Sequence, residues 1–195
     1  MTTPTPRIIK ETQRGYDALE VSDVLFSERK IFISEQITPE MNCNIIKQLM
    51  LLDEEPEKEI TVYISSPGGC VNSGLAIYDV MRSLKSPLKT VCVGKAASMG
   101  AILFLAGDKR VIQPRSEVMI HDPSYGEKSY SGQKPHEIKK ELDSLIKKRD
   151  ILCDIIAERT GKPIKDVRKK TETDSYFDAK EALEFGLATE IGCAL

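Results

Sequence analysis

The sequence predicts an α/β fold with largely parallel strand pairing, and three observations carry that expectation. Short apolar, β-branched runs alternate with longer amphipathic stretches, as in a sheet covered by helices. Two of the strands run into a short turn that opens directly onto a helix. No linker rich in glycine, serine or proline divides the 195 residues and no internal repeat is visible, so one domain (1–195) with a substantial core is expected.

Each element has its own signal. Thr38-Pro39-Glu40 opens a helix, with threonine as cap and proline at the first helical position; Met41, Ile45, Leu49 and Leu52 form its apolar face. The run Glu59 to Ile64 reads as a strand, followed by the turn Ser65-Ser66-Pro67-Gly68-Gly69 and an amphipathic helix from Val71 to Leu84. Leu88 to Val93 reads as a buried strand, and Met99 to Ala106 as a short apolar helix with a stop at Gly107. Glu117 to Ile120 is an apolar strand that delivers His121 at its end, where Pro123 halts regular pairing. The longest helix starts near Pro135 and stops at Gly161, with Ile138, Leu142, Leu145, Ile146, Leu152 and Ile156 on one stripe and a lysine-rich opposite face. Asp178 opens a last helix over 179–185 with a capping-box pattern, and a final strand follows Gly186 near 189–191.

Three of these strand ends carry residues with chemistry. Ser98 sits between a strand and a helix, beside the free N–H groups and positive dipole end of that helix. That setting suits a nucleophile that must build an oxyanion, and it equally suits a helix cap. The Pro67-Gly68-Gly69 turn lets bare backbone approach a ligand, or is a tight turn and nothing more. His121 is a candidate base, or a surface residue at a strand end.

Taken together the chain resembles the proteolytic subunit of the Clp (caseinolytic) protease, a serine peptidase family. The resemblance runs from Ile8-Ile9-Lys10-Glu11-Thr12 through Tyr63-Ile64-Ser65-Ser66-Pro67-Gly68-Gly69, Ala96-Ala97-Ser98-Met99-Gly100 and Val118-Met119-Ile120-His121 to Phe185-Gly186-Leu187. It implies a crotonase-like fold of strand-strand-helix units with a long handle helix. Residue by residue it makes Ser98 the nucleophile, His121 the general base and Asp174 the third member. The backbone N–H groups of Gly68 and Met99 become the oxyanion hole. Asp122, Asp166 and Asp178 are the alternatives to Asp174; Asp122 should point away from the site because strand neighbours face opposite sides, and Asp178 fits a cap better.

The resemblance further implies a homo-oligomer of two stacked seven-membered rings, a tetradecamer, enclosing the serines. Residues 1–22 would form the axial pore and 122–160 the handle region that lines the substrate channel. The chain has no Gly-x-x-x-x-Gly-Lys-Ser/Thr loop, so ATP would be used by a separate AAA+ unfoldase, in ATP-dependent proteolysis serving protein quality control. Two departures stand out. After His121 the family has Gln-Pro and a glycine pair, whereas this chain has Asp122-Pro123-Ser124-Tyr125-Gly126. Thr61 stands where the family often has an aromatic residue of the unfoldase-docking pocket, while Tyr63 is kept on the same face.

Composition excludes other classes. With 41% apolar residues and a net charge of −2, no basic patch argues for nucleic acid. No apolar run approaches the ~18 residues of a membrane span. The start, Met1 to Arg7, lacks the apolar core of a secretory signal; its two prolines suggest a disordered tip or short propeptide. Five scattered cysteines form no zinc pattern and suit a reducing cytoplasm, so no cofactor and no metal are expected. Cys70, beside Gly69, is an alternative nucleophile, and Lys95 an alternative base for Ser98. Two other functions compete with the serine peptidase. One is a largely structural ring subunit that needs a paralogue for activity, the other a crotonase-type enzyme acting on an acyl thioester.

Overall fold

The computed structural model describes residues 6–13, 15–125 and 131–193. The chain begins with an antiparallel hairpin of β1 (Ile8–Thr12) and β2 (Gly15–Leu19), followed by α1 (Val21–Ser27). Next come β3 (Lys30–Ile33), α2 (Pro39–Leu52), β4 (Ile60–Ser66), α3 (Val71–Ser83), β5 (Leu88–Ala97) and α4 (Met99–Leu105). The second half holds β6 (Lys109–Ile112), β7 (Glu117–Ile120), α5 (Pro135–Thr160), α6 (Ile164–Thr171), β8 (Ser175–Phe177), α7 (Ala179–Phe185) and β9 (Glu190–Ile191). One sheet runs β3-β4-β5-β6-β9, with β7 beside β5 and β8 beside β7. Every pairing in it is parallel except β7 with β8. The expected α/β class is therefore the observed one.

The core lies between this sheet and its helices. All residues of α4 are buried, which explains why the segment is apolar all round instead of striped. Helix starts follow the chemistry read from the sequence. The Thr38 side chain accepts the Met41 N–H at 3.2 Å. Asp178 accepts from Lys180 and Glu181 N–H at 2.8 and 2.9 Å, while Glu181 reaches back to the Asp178 N–H at 3.0 Å.

Strand β5 is longer than its apolar run suggests, and the reason matters for the site. Its first part pairs with β4 and β6. At Gly94 the backbone takes φ +74° and donates its N–H to Ser116 Oγ at 2.8 Å. Beyond that bend β7 becomes the partner, with Lys95 opposite Glu117, Ala96 opposite Val118 and Ala97 opposite Met119. Helix α5 also departs from a simple reading: Leu152, Cys153 and Ile156 are buried, while Ile138, Leu142 and Ile146 remain 37%, 52% and 37% exposed. The N-terminal tip (1–5) and residues 126–130 of the expected handle strand lie outside the described residues.

Candidate active site

Two strand registers assemble the site. Parallel pairing of β5 with β7 continues past Ala97 and Met119, since Ser98 N–H donates to the Met119 carbonyl at 2.8 Å. The end of β5 thus carries Ser98 alongside the end of β7, where His121 emerges. Antiparallel pairing of β7 with β8 sets Ile120 opposite Ser175, so the next residues outward are His121 and Asp174. A further bond, from the Asp122 N–H to the Thr171 carbonyl at 2.6 Å, pins the end of α6 and the loop bearing Asp174 against β7.

The side chains meet accordingly. His121 Nε2 lies 2.8 Å from Ser98 Oγ, and His121 Nδ1 lies 3.1 Å from Asp174 Oδ1. The Asp174 side chain is 55% exposed and that of His121 27%. Ser98 has φ +53° and ψ −120° and makes no side-chain cap bond to α4. A left-handed serine at a strand-to-helix turn is strained for an L-residue and holds its hydroxyl out. The capping alternative for Ser98 is thereby set aside.

The glycine turn lies directly against this elbow. A Cβ on Gly68 would fall 2.8 Å from both the Ala97 carbonyl oxygen and Ser98 Cβ, and 3.0 Å from the Met99 nitrogen. Gly68 itself has φ +96°, so glycine is required there for both space and conformation. The turn is held from outside by Ile37, whose N–H donates to the Gly68 carbonyl at 2.8 Å and whose carbonyl accepts the Cys70 N–H at 2.9 Å. Met99 occupies the first position of α4, where an N–H has no acceptor within the helix. Gly68 and Met99 are thus brought together beside Ser98.

The alternatives are placed elsewhere. Lys95 Nζ pairs with Glu117 Oε1 at 3.2 Å and lies over the Tyr176 ring, so its charge is committed away from Ser98. Asp178 caps α7, and Asp166 sits in the first turn of α6, exposed. Cys70 is exposed at the start of α3; hydrogen bonds from the Ser73 hydroxyl and backbone hold its pKa below that of an ordinary thiol. It is Ser98, not Cys70, that has the imidazole within bonding distance.

An apolar recess adjoins Ser98 and His121, lined by Val71, Ile102, Ile120, Pro123, Leu152 and Ile156. Its free volume of about 20 Å³ is room for about one water. On the opposite side of the sheet Tyr63 stacks on Phe32, with centroids 4.9 Å apart and planes 10° from parallel; Val21, Leu25 and Phe32 border a second hollow. After His121, the Tyr125 hydroxyl donates to the Glu141 carbonyl at 2.7 Å, laying that segment on α5. Among the described residues no group of three or more His, Cys, Asp or Glu could hold a metal. No described helix is long and apolar enough to cross a membrane.

A serine hydroxyl 2.8 Å from an imidazole, a carboxylate 3.1 Å from its other nitrogen and the backbone of a glycine turn and a helix start beside that serine form an arrangement that could support acyl transfer. The family model for Clp protease matches residues 13–194, and its members are serine-type peptidases that assemble into oligomeric rings with unfoldases. On that match and this fold, the chain belongs to the Clp protease family and is a serine-type hydrolase.

Proposed function

We propose that the chain hydrolyses unfolded polypeptides through an acyl-enzyme on Ser98. The observation that carries this reading is the 2.8 Å approach of His121 Nε2 to Ser98 Oγ, on a serine whose backbone strain keeps the hydroxyl free of its helix. His121 takes the Ser98 proton as Oγ bonds to the scissile carbonyl carbon. Asp174 faces Nδ1, fixes the tautomer and stabilises the imidazolium. The tetrahedral oxyanion is held by the N–H groups of Gly68 and Met99. Collapse breaks the C–N bond as His121 gives its proton to the leaving amine. Water, activated by the same imidazole, then releases the acyl group and restores the Ser98 hydroxyl.

The apolar recess supports a preference for an apolar side chain before the scissile bond. Its small resting volume requires the lining to open as substrate enters. In the cytoplasm the subunits would stack as two heptameric rings, with 1–22 forming the axial pore and 122–160 the handle. An AAA+ unfoldase would supply ATP-driven threading and dock near the Phe32–Tyr63 stack, and a paralogous subunit could share the barrel.

The test is hydrolysis of an apolar fluorogenic peptide and of an unfolded protein by wild type, His121→Ala and Asp174→Asn. Removing the base should cost roughly 10²–10⁴-fold in kcat. Asp174→Asn should also lower kcat strongly, up to about 10⁴-fold, because an amide can donate to Nδ1 and favour the wrong tautomer. A His121→Ala enzyme that keeps most of its rate would refute the mechanism. A wild type inactive alone but active with a sister subunit would replace it by the paralogue-dependent reading.

A further inference from the structure

A second polar side chain is wired into the turn that carries Gly68. Ser66 closes β4 and is 1% exposed. Its hydroxyl donates to the Glu35 carbonyl at 2.6 Å and accepts the Gly68 N–H at 3.2 Å. A hydroxyl has a single proton, so both directions are fixed: the proton goes to Glu35 and a lone pair faces Gly68. The backbone of Gly100 backs closely onto Ser66: a Cβ on Gly100 would lie 3.0 Å from the Ser66 carbonyl oxygen and 3.3 Å from Ser66 Cβ. The Gly68 residue is therefore gripped at both polar groups, its N–H by Ser66 and its carbonyl by Ile37.

We propose that Ser66 is a positioning residue that acts through Gly68: its hydroxyl aims the Gly68 N–H in the resting chain and yields it to the oxyanion during acylation. The inference rests on the reading of Gly68 as an oxyanion donor. At φ +96° and without a side chain, Gly68 has little of its own to hold its peptide plane. Without Ser66 a buried N–H would be left unpartnered and would turn toward another acceptor. The bond to Ser66 is at the long end of the N–H···O range, and its acceptor is neutral and already donating elsewhere. A developing oxyanion is a charged acceptor and forms shorter bonds, roughly twice as strong. The exchange thus favours the transition state over the resting state, which is what catalysis requires. Ser66 holds the Gly68 peptide in the resting chain by a bond weak enough to be exchanged for the oxyanion.

The test compares steady-state peptide hydrolysis by purified full-length wild type, Ser66→Ala, Ser66→Thr and Ser65→Ala. A peptide boronate serves as probe, since its tetrahedral adduct on Ser98 puts an oxygen where the oxyanion forms. Ser66→Ala should lose at least tenfold in kcat with KM within twofold and the pH profile unmoved. Boronate affinity should fall by the same factor as kcat. Ser66→Thr, which keeps the hydroxyl, should recover most of the loss, and Ser65→Ala, an exposed neighbour, should match wild type. If Ser66→Ala does not fold, Ser66→Cys keeps the volume, offers a poor acceptor, and should show the same losses. An unchanged or raised kcat, or a loss carried by KM, would overturn the inference alone. A wild type that neither turns over peptide nor binds the boronate would overturn the reading of Ser98 and Gly68, and this inference with it.

Discussion

Helix α5 behaves as two helices joined end to end. Over its last turns Leu152, Cys153 and Ile156 are buried, Leu152 and Ile156 line the recess beside Ser98, and Arg159 donates to the carbonyls of Leu105 and Gly107 at 2.8 and 2.7 Å. Over its first turns Ile138, Leu142 and Ile146 continue the same stripe and stay 37% to 52% exposed. Both sets lie on one stripe of the helix; what differs is whether this protomer supplies a surface to cover it. Spacing reports which way a stripe faces, and only the fold reports what lies opposite. In a family that assembles into rings, the uncovered half is where contact with another subunit is expected.

That contrast can be broken in order of effect. Gly68→Ala strikes the site against which the covered half packs: a Cβ 2.8 Å from the Ala97 carbonyl oxygen at positive φ should displace the turn. It should cost about 10²–10³-fold in kcat, the worth of an oxyanion donor, measured on the peptide substrate. Ile156→Ala, in the covered half, should destabilise the protomer by about 2–5 kcal/mol, read from chemical denaturation. Leu142→Ala, in the uncovered half, should change protomer stability by no more than about 0.5 kcal/mol. Leu142→Lys should instead shift the assembly to smaller species in sedimentation velocity; equal destabilisation by Leu142→Ala and Ile156→Ala would erase the distinction.

The gentlest probe is thiol alkylation near pH 7.5. Cys153 in the covered half has its pKa raised by burial, and burial pushes Cys92 up to about 12, so both stay protonated and unreactive. Cys70 is exposed with a lowered pKa, so it carries more thiolate at this pH and should react first by peptide mass mapping. Rapid modification of Cys153 would mean that the C-terminal half of α5 opens.

The same distinction between local signal and long-range partner governs what the sequence disclosed. Ser98, Gly68 and His121 were legible because each stands at a strand end whose flanking residues announce a turn or a helix. The strain at Ser98 was not, since φ +53° follows from β5 and α4 being anchored on either side. Asp174 was named through resemblance alone. Its place depends on β8, a strand of only Ser175–Phe177, pairing antiparallel with β7, and no local pattern encodes that register. Helix α6 was not foreseen because Ile164 and Val167 are its only large apolar residues, and Arg168, Lys169 and Lys170 crowd its last turn. Strand β5 was read as ending near Val93, where its apolar run stops; it continues because β7 takes over as partner beyond Gly94.

The most direct measurement is fluorophosphonate labelling of the purified protein, read by intact mass beside Ser98→Ala and His121→Ala. The account predicts one adduct per chain, mapped to Ser98, absent in Ser98→Ala and strongly slowed in His121→Ala. An adduct that persists in Ser98→Ala, or a labelling rate indifferent to His121, would contradict it.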